Sequence, residues 1–428
     1  MSADFEAARS AFLQGLTHQG QGRHAEAEAC YRLSLAHVPG RPSTLTNLGA
    51  ALIALERAAE ALPLLDVAVA AEPGNAEAWS HRGLALAAMA QDASALASFD
   101  KALAGGGAGG FSGASAAWYH RALCLSRLGR QVAALDSYDQ ALSIAPALAD
   151  AWGHRGGLLK DMGRKQEAAT SLRRAIELGA DARLYGYLLA SVGGAAAPPG
   201  PPPDYVEKLF DSYAPEFDEH LLGKLNYQAH RVLCESLALS GRQFASVLDL
   251  GCGTGLCGPL LRPLLVPLLV PLLLPLSVPL SVPPLQLPES RLEGVDLSAA
   301  MLARARQLGV YDRLVQDDIV RFLQATATRP DLVVAADVFI YVGDLQPVFV
   351  ALRRVIAAGG VFCFSVEAAD DAVDFELRPS SRYAQSARYL RELASRHGFV
   401  VDALWRAPLR EDRQQPVEGF FVSMRAVR

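Results

Sequence analysis

Two acidic residues lie on either side of a glycine-rich segment in the second half of the chain. Asp249 lies within Val247-Leu-Asp-Leu-Gly-Cys-Gly-Thr-Gly255, and Asp296 ends the segment Leu292-Glu-Gly-Val-Asp296. Glycine lets a backbone turn tightly and approach a ligand closely, because it has no Cβ atom. A carboxylate at the end of a second strand can accept hydrogen bonds from both hydroxyls of a ribose. The pattern predicts a site for a ligand that contains a ribose.

A nicotinamide dinucleotide site is the alternative interpretation, because Gly253, Gly255 and Gly258 satisfy the spacing Gly-x-Gly-x-x-Gly. Two features count against it. Asp249 precedes the glycines, where its charge would repel a pyrophosphate but attract an ammonium group. Prolines from Pro259 onward shorten the helix whose N-terminal dipole would hold a pyrophosphate.

Prolines occur at every fourth residue between Pro259 and Pro283, with Leu, Val and Ser between them. The run is apolar, but prolines at this density remove helical hydrogen bonds, so we expect no membrane-spanning helix. We interpret residues 263–289 as a low-complexity insert, extended or disordered. Asp296 follows Asp249 by 47 residues, and removing about 25 inserted residues restores the spacing of roughly 20 that is expected for a ribose-binding acid.

The segment Asp-x-Gly-x-Gly-x-Gly at 249–255 resembles the signature of class I S-adenosylmethionine-dependent methyltransferases. Segments 210–218, 316–319, 331–337 and 358–365 resemble further parts of that family. The resemblance implies S-adenosylmethionine as the cofactor, with Asp318 or its neighbour Asp317 near the adenine. It places Tyr213 and Phe217 in an aromatic lid. Met301 either packs near the adenine or fills the core.

The cofactor-binding residues implied by the resemblance form one set, in which structural roles remain open for single members. They are Asp249, Gly251, Cys252, Gly253, Gly255, Asp296, Leu297, Met301, Asp317, Asp318, Ile319, Asp337, Tyr213 and Phe217.

The reaction implied is transfer of a methyl group from a sulfonium, for which a protein aligns the two reactants and excludes water. Asp337 and Tyr341 are the candidate catalytic residues. The segment 337–341 lacks the Asn/Asp-Pro-Pro-aromatic signature of amino methyltransferases, so methylation of bases or glutamine is disfavoured. His220, Glu367 and Tyr383 are further candidates for lining the acceptor pocket. No metal is indicated.

Strands and helices alternate from about residue 204 onward. Buried strands are expected at 246–250 and 292–296, and Ser298 is placed to cap a helix that runs to Leu308. Further strands are predicted at 313–316, 331–336, 360–366, 399–405 and 417–425, and helices near 346–357 and 385–397. The alternation predicts a doubly wound, Rossmann-like α/β sheet, mostly parallel with an antiparallel last strand.

A repeat of about 34 residues organises the first half of the chain. The anchor residues of four copies are Leu45, Trp79, Trp118 and Trp152. Four residues after each anchor comes glycine, or alanine in the copy of Trp118; alanine follows at sixteen and a bulky residue at twenty. Trp79 with Gly83, Ala95 and Phe99 is one copy. Small residues let two helices approach closely, and such helix pairs stack into a solenoid. The pattern resembles tetratricopeptide repeats, in about five units followed by a capping helix, over residues 4–192.

A polar position also recurs, two residues after each anchor. It holds Asn47, His81, His120 and His154. In tetratricopeptide families the first helix of a repeat lines a groove, so these residues are candidates for binding a protein or peptide. The alternative is a packing role copied by repeat duplication.

Residues 193–203, rich in Ala, Gly and Pro, are expected to form a linker that packs on neither neighbour; the catalytic domain is expected at 204–428. The formal net charge of −5 disfavours nucleic acid as a partner. Six scattered cysteines and the absence of a signal-like start predict a cytoplasmic protein without membrane association.

The whole chain resembles bacterial methyltransferases that contain tetratricopeptide repeats. One hypothesis is an enzyme whose repeat array binds a protein or peptide, with an unidentified methyl acceptor. The alternative is an interaction protein whose methyltransferase fold binds the cofactor but turns over weakly.

Overall fold

A computed structural model describes residues 3–105, 111–266, 290–412 and 414–427. The chain divides into two compact units, Met1–Val192 and Gly193–Arg428.

The first unit consists of consecutive helices that pack in pairs. The helices are α1 (Ala3–Gly20), α2 (His24–His37), α3 (Pro42–Ala54), α4 (Ala58–Ala71), α5 (Ala76–Ala88), α6 (Asp92–Gly105), α7 (Ala114–Arg127), α8 (Gln131–Ile144), α9 (Ala149–Asp161), α10 (Lys165–Glu177) and α11 (Ala182–Ser191).

Glycine on the first helix of a pair faces a large side chain on the second. A Cβ atom at Gly83 would lie 2.7 Å from the ring of Phe99, and one at Gly49 would lie 2.7 Å from Leu65. Both large side chains are fully buried. The recurring small and bulky positions therefore follow from close approach of the paired helices.

Besides four short helical turns of other types, the second unit contains seven α-helices and nine strands among its described residues. They are α12 (Pro203–Tyr213), α13 (Ala229–Leu239), β1 (Ser246–Leu250), α14 (Gly258–Leu261), β2 (Arg291–Asp296), α15 (Ala299–Gln307), β3 (Arg313–Gln316), α16 (Ile319–Ala325), β4 (Leu332–Ala335), α17 (Gln346–Val355), β5 (Val361–Ala368), β6 (Phe375–Leu377), β7 (Tyr383–Gln385), α18 (Ala387–Arg396), β8 (Phe399–Asp412) and β9 (Gln415–Ala426).

One sheet connects these strands. Its order is β3-β2-β1-β4-β5-β7-β6, and β9 pairs with both β5 and β8. The pairs β1–β2, β2–β3, β1–β4 and β4–β5 are parallel, whereas β9 runs antiparallel to β5. The predicted mostly parallel sheet with an antiparallel last strand is confirmed. From β1, the chain adds β2 and β3 on one side and then β4 and β5 on the other, so the order of the strands across the sheet reverses at β1. Ligands bind at this position in such folds.

Both faces of the sheet are buried. Leu248 and Leu250 of β1 join one hydrophobic cluster with α17 and α18, and Val247 joins a second cluster with α13. Successive residues of a strand point to opposite faces. Helices therefore cover the sheet on both sides, as a doubly wound fold requires.

Two sequence expectations need correction. The hairpin of β6 and β7 was not predicted, because its strands have only three residues each. The linker was expected to pack on neither neighbour, yet the Pro198 carbonyl accepts a hydrogen bond from Tyr383 at 2.8 Å, and the Pro199 carbonyl accepts one from the Gly343 N–H at 2.9 Å. The linker around Pro198 and Pro199 is not helical, so these carbonyl groups form no helical hydrogen bonds and can accept hydrogen bonds from neighbouring residues.

The predicted insert lies mostly outside the described residues, from 267 to 289. Its first residues belong to the fold, because Leu264 and Leu265 are buried and the Leu264 carbonyl accepts a hydrogen bond from the Phe244 N–H at 2.9 Å. Beyond residue 289, the Arg291 N–H donates a hydrogen bond to the Ala245 carbonyl at 2.9 Å.

The buried ring of Phe99 provides a test of the repeat packing. Phe99→Ala removes a fully buried ring that fills the space above Gly83, and should lower the free energy of unfolding of the helical unit by about 3–5 kcal/mol. Urea unfolding followed by circular dichroism measures the change. Val132→Ala, at a position 68% exposed, is the control and should change it by less than about 0.5 kcal/mol. Equal effects of the two substitutions would contradict the packing.

Candidate functional site

The carboxyl ends of β1, β2 and β4 meet at one edge of the sheet. Asp249 lies within β1, Asp296 is the last residue of β2, and Asp337 follows β4 by two residues. Because these strands are neighbours and parallel, three acidic residues widely separated in sequence come to one place.

The turn after β1 requires glycine for two reasons. Gly251 and Gly253 have φ angles of +64° and +55°, which side chains rarely adopt. A Cβ atom at Gly251 would also lie 2.4 Å from the Val338 side chain. The following helix α14 has only four residues. A pyrophosphate would therefore find little of the helix dipole that dinucleotide sites use.

Asp296 is held by backbone N–H groups. Its Oδ2 accepts a hydrogen bond from the Gly253 N–H at 2.8 Å, and its Oδ1 accepts one from the Ser298 N–H at 2.9 Å. Burial raises the pKa of Asp296, while these bonds act in the opposite direction. Two carboxylate oxygens offer about four acceptor positions, so capacity remains for a ligand.

Asp249 is buried beneath the glycine turn. The Tyr311 hydroxyl donates a hydrogen bond to its Oδ2 at 2.6 Å. Burial raises the pKa of this carboxyl to about 7, and the charge of Asp296 adds to the rise. A cationic group next to Asp249 would relieve the cost of keeping it ionised.

A cavity of about 690 Å³ opens at this edge, within the range of about 300–1,000 Å³ that small-molecule sites occupy. The predicted cofactor residues line it with the exception of Gly255. Gly255 instead has a φ of +93° and faces Leu308 and Tyr311, so its role is in the turn and its packing. The lining predicted residues are Asp249, Gly251, Cys252, Gly253, Asp296, Leu297, Met301, Asp317, Asp318, Ile319, Asp337, Tyr213, Phe217 and Tyr341.

Both acidic candidates for the adenine end also have structural partners. Asp318 caps α16, because its Oδ1 accepts a hydrogen bond from the Arg321 N–H at 3.0 Å. Asp317 pairs with the Arg321 guanidinium and accepts a hydrogen bond from the Asp318 N–H at 2.8 Å. The structural and ligand roles predicted for these residues are compatible.

Aromatic rings from the segment after the linker cover one side of the cavity. Tyr213 contacts Phe217 and His220, each with ring centroids 5.4 Å apart, and Phe210 contacts Tyr341 at 5.2 Å. Hydrogen bonds attach this segment to the sheet edge. The Ser298 hydroxyl donates to Asp211 at 2.6 Å, and the Thr254 hydroxyl donates to Asp218 at 2.5 Å.

Asp337 is fixed by a buried arginine that sequence reasoning missed. Arg410 in β8 donates to both Asp337 oxygens at 3.0 and 2.9 Å and also to Glu367. The φ angle of Asp337 is +58°, and its N–H donates to the Ser365 hydroxyl at 2.9 Å. Burial raises the pKa of Asp337, whereas the charge of Arg410 lowers it. The pairing joins residues 73 positions apart, for which the sequence holds no local signal.

Two candidates for the acceptor pocket lie elsewhere. Glu367 and Tyr383 are absent from the cavity lining, whereas His220 and Tyr341 belong to it. Glu367 is occupied by Arg410 and Arg378 behind Asp337. Tyr383 packs where a side chain at Gly343 would be, within 2.6 Å of its Cβ position.

In the first unit, the polar position of each repeat has varied surroundings. The Asn47 amide donates to the Ser43 carbonyl of its own helix at 2.9 Å. The His120 ring stacks on Phe99 at 6.2 Å, and His154 approaches Tyr119 at 5.9 Å. Burial lowers the pKa of His81, and lowers that of His120 to about 4.

The arginine that follows each of these histidines has a repeated contact that was also missed. Arg82 lies over the Trp79 ring at 5.6 Å, pairs with Asp66 at 2.7 Å and donates to Ser98 at 2.8 Å. The same three contacts recur in the next two repeats, at Arg121 with Trp118, Asp100 and Ser137, and at Arg155 with Trp152, Asp139 and Ser171. The repetition of Trp-x-His-Arg was the available signal.

Among the described residues, no group of three or more His, Cys, Asp or Glu is arranged to hold a metal ion. No described helix is both long enough and apolar enough to cross a bilayer.

Comparison with known families agrees with this architecture. Residues 225–404 match the methyltransferase domain family, and residues 8–36, 115–148 and 149–180 match the tetratricopeptide repeat. The chain therefore carries a methyltransferase domain preceded by tetratricopeptide repeats.

Two curated relatives are bacterial methyltransferases. One is trans-aconitate 2-methyltransferase of Paracidovorax citrulli, 28% identical over 35% of this chain and 44% of the relative. The other is malonyl-[acyl-carrier protein] O-methyltransferase of Enterobacter lignolyticus, 29% identical over 45% of this chain and 65% of the relative. The chain spans about half the length of these relatives.

Two solved structures are similar to parts of the chain. Magnesium protoporphyrin IX methyltransferase of Synechocystis PCC 6803, with bound SAM, is 15% identical over 52% of this chain and 96% of that one, with a TM-score of 0.37. MamA of Desulfovibrio magneticus RS-1 is 18% identical over 42% of this chain and 96% of that one, with a TM-score of 0.36.

The raised pKa of Asp249 predicts a pH dependence of stability. The pKa of Asp249 is about 7 in the folded protein and 3.8 in the absence of such an environment, as in the unfolded chain. Between pH 3.8 and pH 7 the carboxyl therefore binds more protons in the folded state than in the unfolded state. Its contribution to the free energy of unfolding therefore falls as pH rises from about 4 to about 7. Asp249→Asn does not titrate, so its stability relative to wild type should rise over this range, by up to about 4 kcal/mol at pH 8.

Denaturant unfolding of both proteins at pH 5 and pH 8 measures this difference. Asp412→Asn, at an exposed strand end, is the control. A difference between Asp249→Asn and wild type that stays constant with pH would show that the carboxyl is not held out of water.

Proposed function

We propose that the second unit binds S-adenosylmethionine and transfers its methyl group to an acceptor in the same cavity. One observation carries the proposal: the glycine turn, Asp249, Asp296 and Asp337 open into one cavity beneath an aromatic segment. The residues fit the cofactor. Asp296 keeps acceptor capacity for ribose hydroxyls, and the buried Asp249 suits an ammonium group.

The bound cofactor would supply a methyl group on a sulfonium, which is a good leaving group. The chain's own residues bind, orient and exclude water. Tyr213, Phe217 and Tyr341 form an apolar cover, and removal of water strengthens the electrostatic contacts beneath it. Asp337 is held by Arg410 with two hydrogen bonds, which supports a positioning role and disfavours proton abstraction by this carboxylate.

Asp296 provides the test of cofactor identity. Asp296→Ala removes the proposed ribose acceptor, so affinity for S-adenosylmethionine should fall roughly tenfold or more, as expected for loss of hydrogen bonds to a charged group. Isothermal calorimetry on the full chain measures it, with Asp412→Ala as the control. Binding of NAD in preference to S-adenosylmethionine by the wild-type chain would contradict the proposal.

We also propose that the repeat array binds a protein or peptide, and that Asn47, His81, His120 and His154 contribute. The supporting observation is that His120 and His154, from neighbouring repeats, both lie against Tyr119. If the methyltransferase unit binds cofactor without turnover, this interaction becomes the main function, which is the alternative reading of the chain.

A random peptide library tests the array. Selection on the wild-type chain should enrich certain peptides. The triple variant His81→Ala, His120→Ala, His154→Ala should no longer retain them, because it lacks the three imidazole rings. Val132→Ala, on the second helix of its repeat, should retain them. Equal enrichment on all three proteins would contradict a role for the histidines.

We place the chain in the cytoplasm on the basis of its cysteines. All six are free thiols, and five of them are buried. Unpaired cysteines are typical of reducing compartments.

A further inference from the structure

One of the two arginines that line the cavity is not held in an ion pair. Arg410 and Arg378 are paired with Asp337 and Glu367. Arg382 also lines the cavity, and within the described part of the chain its guanidinium has no hydrogen-bond or salt-bridge partner. Of the two arginines that line the cavity, only Arg382 is therefore outside an ion pair, although its charge helps to lower the pKa of Asp337.

The turn between β6 and β7 holds Arg382 in place. The Arg378 N–H donates to the Arg382 carbonyl at 2.9 Å, and Ser381 has a φ of +59°. The Arg378 side chain ties the turn to the buried Glu367 at 3.0 Å and to the Ala368 carbonyl at 2.6 Å. The backbone of Arg382 is therefore fixed before a ligand arrives, which reduces the entropic cost of binding.

Polar atoms without partners surround the same space. Arg410 Nε, His220 Nδ1 and His230 Nδ1 are buried, and they lack hydrogen-bond partners among the described residues. All three residues line the cavity. Burial lowers the pKa of His230 to about 4, so its ring is neutral near pH 7. Buried polar groups are normally hydrogen-bonded, but these atoms are enclosed by protein, so they mark polar side chains in the cavity wall and not contacts with a ligand.

The rest of the lining beyond the predicted cofactor residues is mainly apolar. It includes Val206, Leu209, Leu221, Leu225, Ile340 and Val342. A ligand that fits must combine an anionic group with an apolar body. A single guanidinium pairs well with a carboxylate, whereas a phosphate near −2 would be repelled more strongly by the neighbouring Asp337.

Resting on the proposed function, we propose that the methyl acceptor is an apolar molecule with a carboxylate, and that Arg382 binds this carboxylate. The planar guanidinium donates two parallel hydrogen bonds to the two carboxylate oxygens.

Binding of model acceptors tests the assignment. The full chain, saturated with S-adenosylhomocysteine, is titrated by calorimetry with decanoate, decanamide and decyl phosphate. Decanoate should bind more tightly than the other two. Arg382→Gln should weaken decanoate binding roughly tenfold to a hundredfold, and Arg382→Lys, which keeps the charge but loses the bidentate geometry, should weaken it less. Arg406→Gln, an exposed arginine on β8, is the matched control and should change nothing.

The outcomes separate this proposal from the one before it. If wild type does not bind S-adenosylhomocysteine, the proposed function fails. If it does, unchanged S-adenosylhomocysteine affinity in Arg382→Gln shows that the fold is intact and that the guanidinium does not serve the cofactor's carboxylate. A loss of that affinity overturns the proposal. So does decanoate binding that is absent in wild type, unchanged in Arg382→Gln, or weaker than that of decyl phosphate.

Discussion

Burial of carboxylates at the ends of parallel strands is the constraint on which the second unit depends. A charge taken out of water must be paired or hydrogen-bonded. Asp296 uses two backbone N–H groups, Asp249 uses the Tyr311 hydroxyl, and Asp337 uses Arg410. The glycine turn, the Ser298 cap and the long strand β8 are each needed to bring one of these partners into place.

Local sequence accounts for much of this edge. Asp249 lies two residues before the first glycine of the turn, and Asp296 binds the N–H of Ser298 two residues later, so short patterns contain the relevant information. Subtracting the proline-rich run from the spacing between Asp249 and Asp296 was enough to predict that both acids belong to one site. The repeat period likewise predicted which residues would be small or large in the helix pairs.

The remaining features depend on distant pairing. Arg410 and Asp337 come together only because β9 returns antiparallel to β5 and pairs with β8. The β6–β7 hairpin is too short for alternation to be visible, so Arg382 could not be assigned a place. Glu367 was one of the candidates for the acceptor pocket, but Arg378 and Arg410 occupy it. Charge balance among residues far apart in sequence decides these roles.

The described residues on either side of residues 267–289, which follow β1 and precede β2 in the sequence, lie beside the start of β1. Phe244 bonds to Leu264 and Val266, and Arg291 bonds to Ala245, whereas the candidate site lies beyond the other end of that strand. Segments that leave and rejoin a fold at neighbouring points vary in length at small cost, since doubling a flexible loop adds only about 0.6 kcal/mol of closure entropy. The described residues that flank this segment are anchored at the end of β1 opposite the candidate site, so a difference in length there does not need to displace the glycine turn.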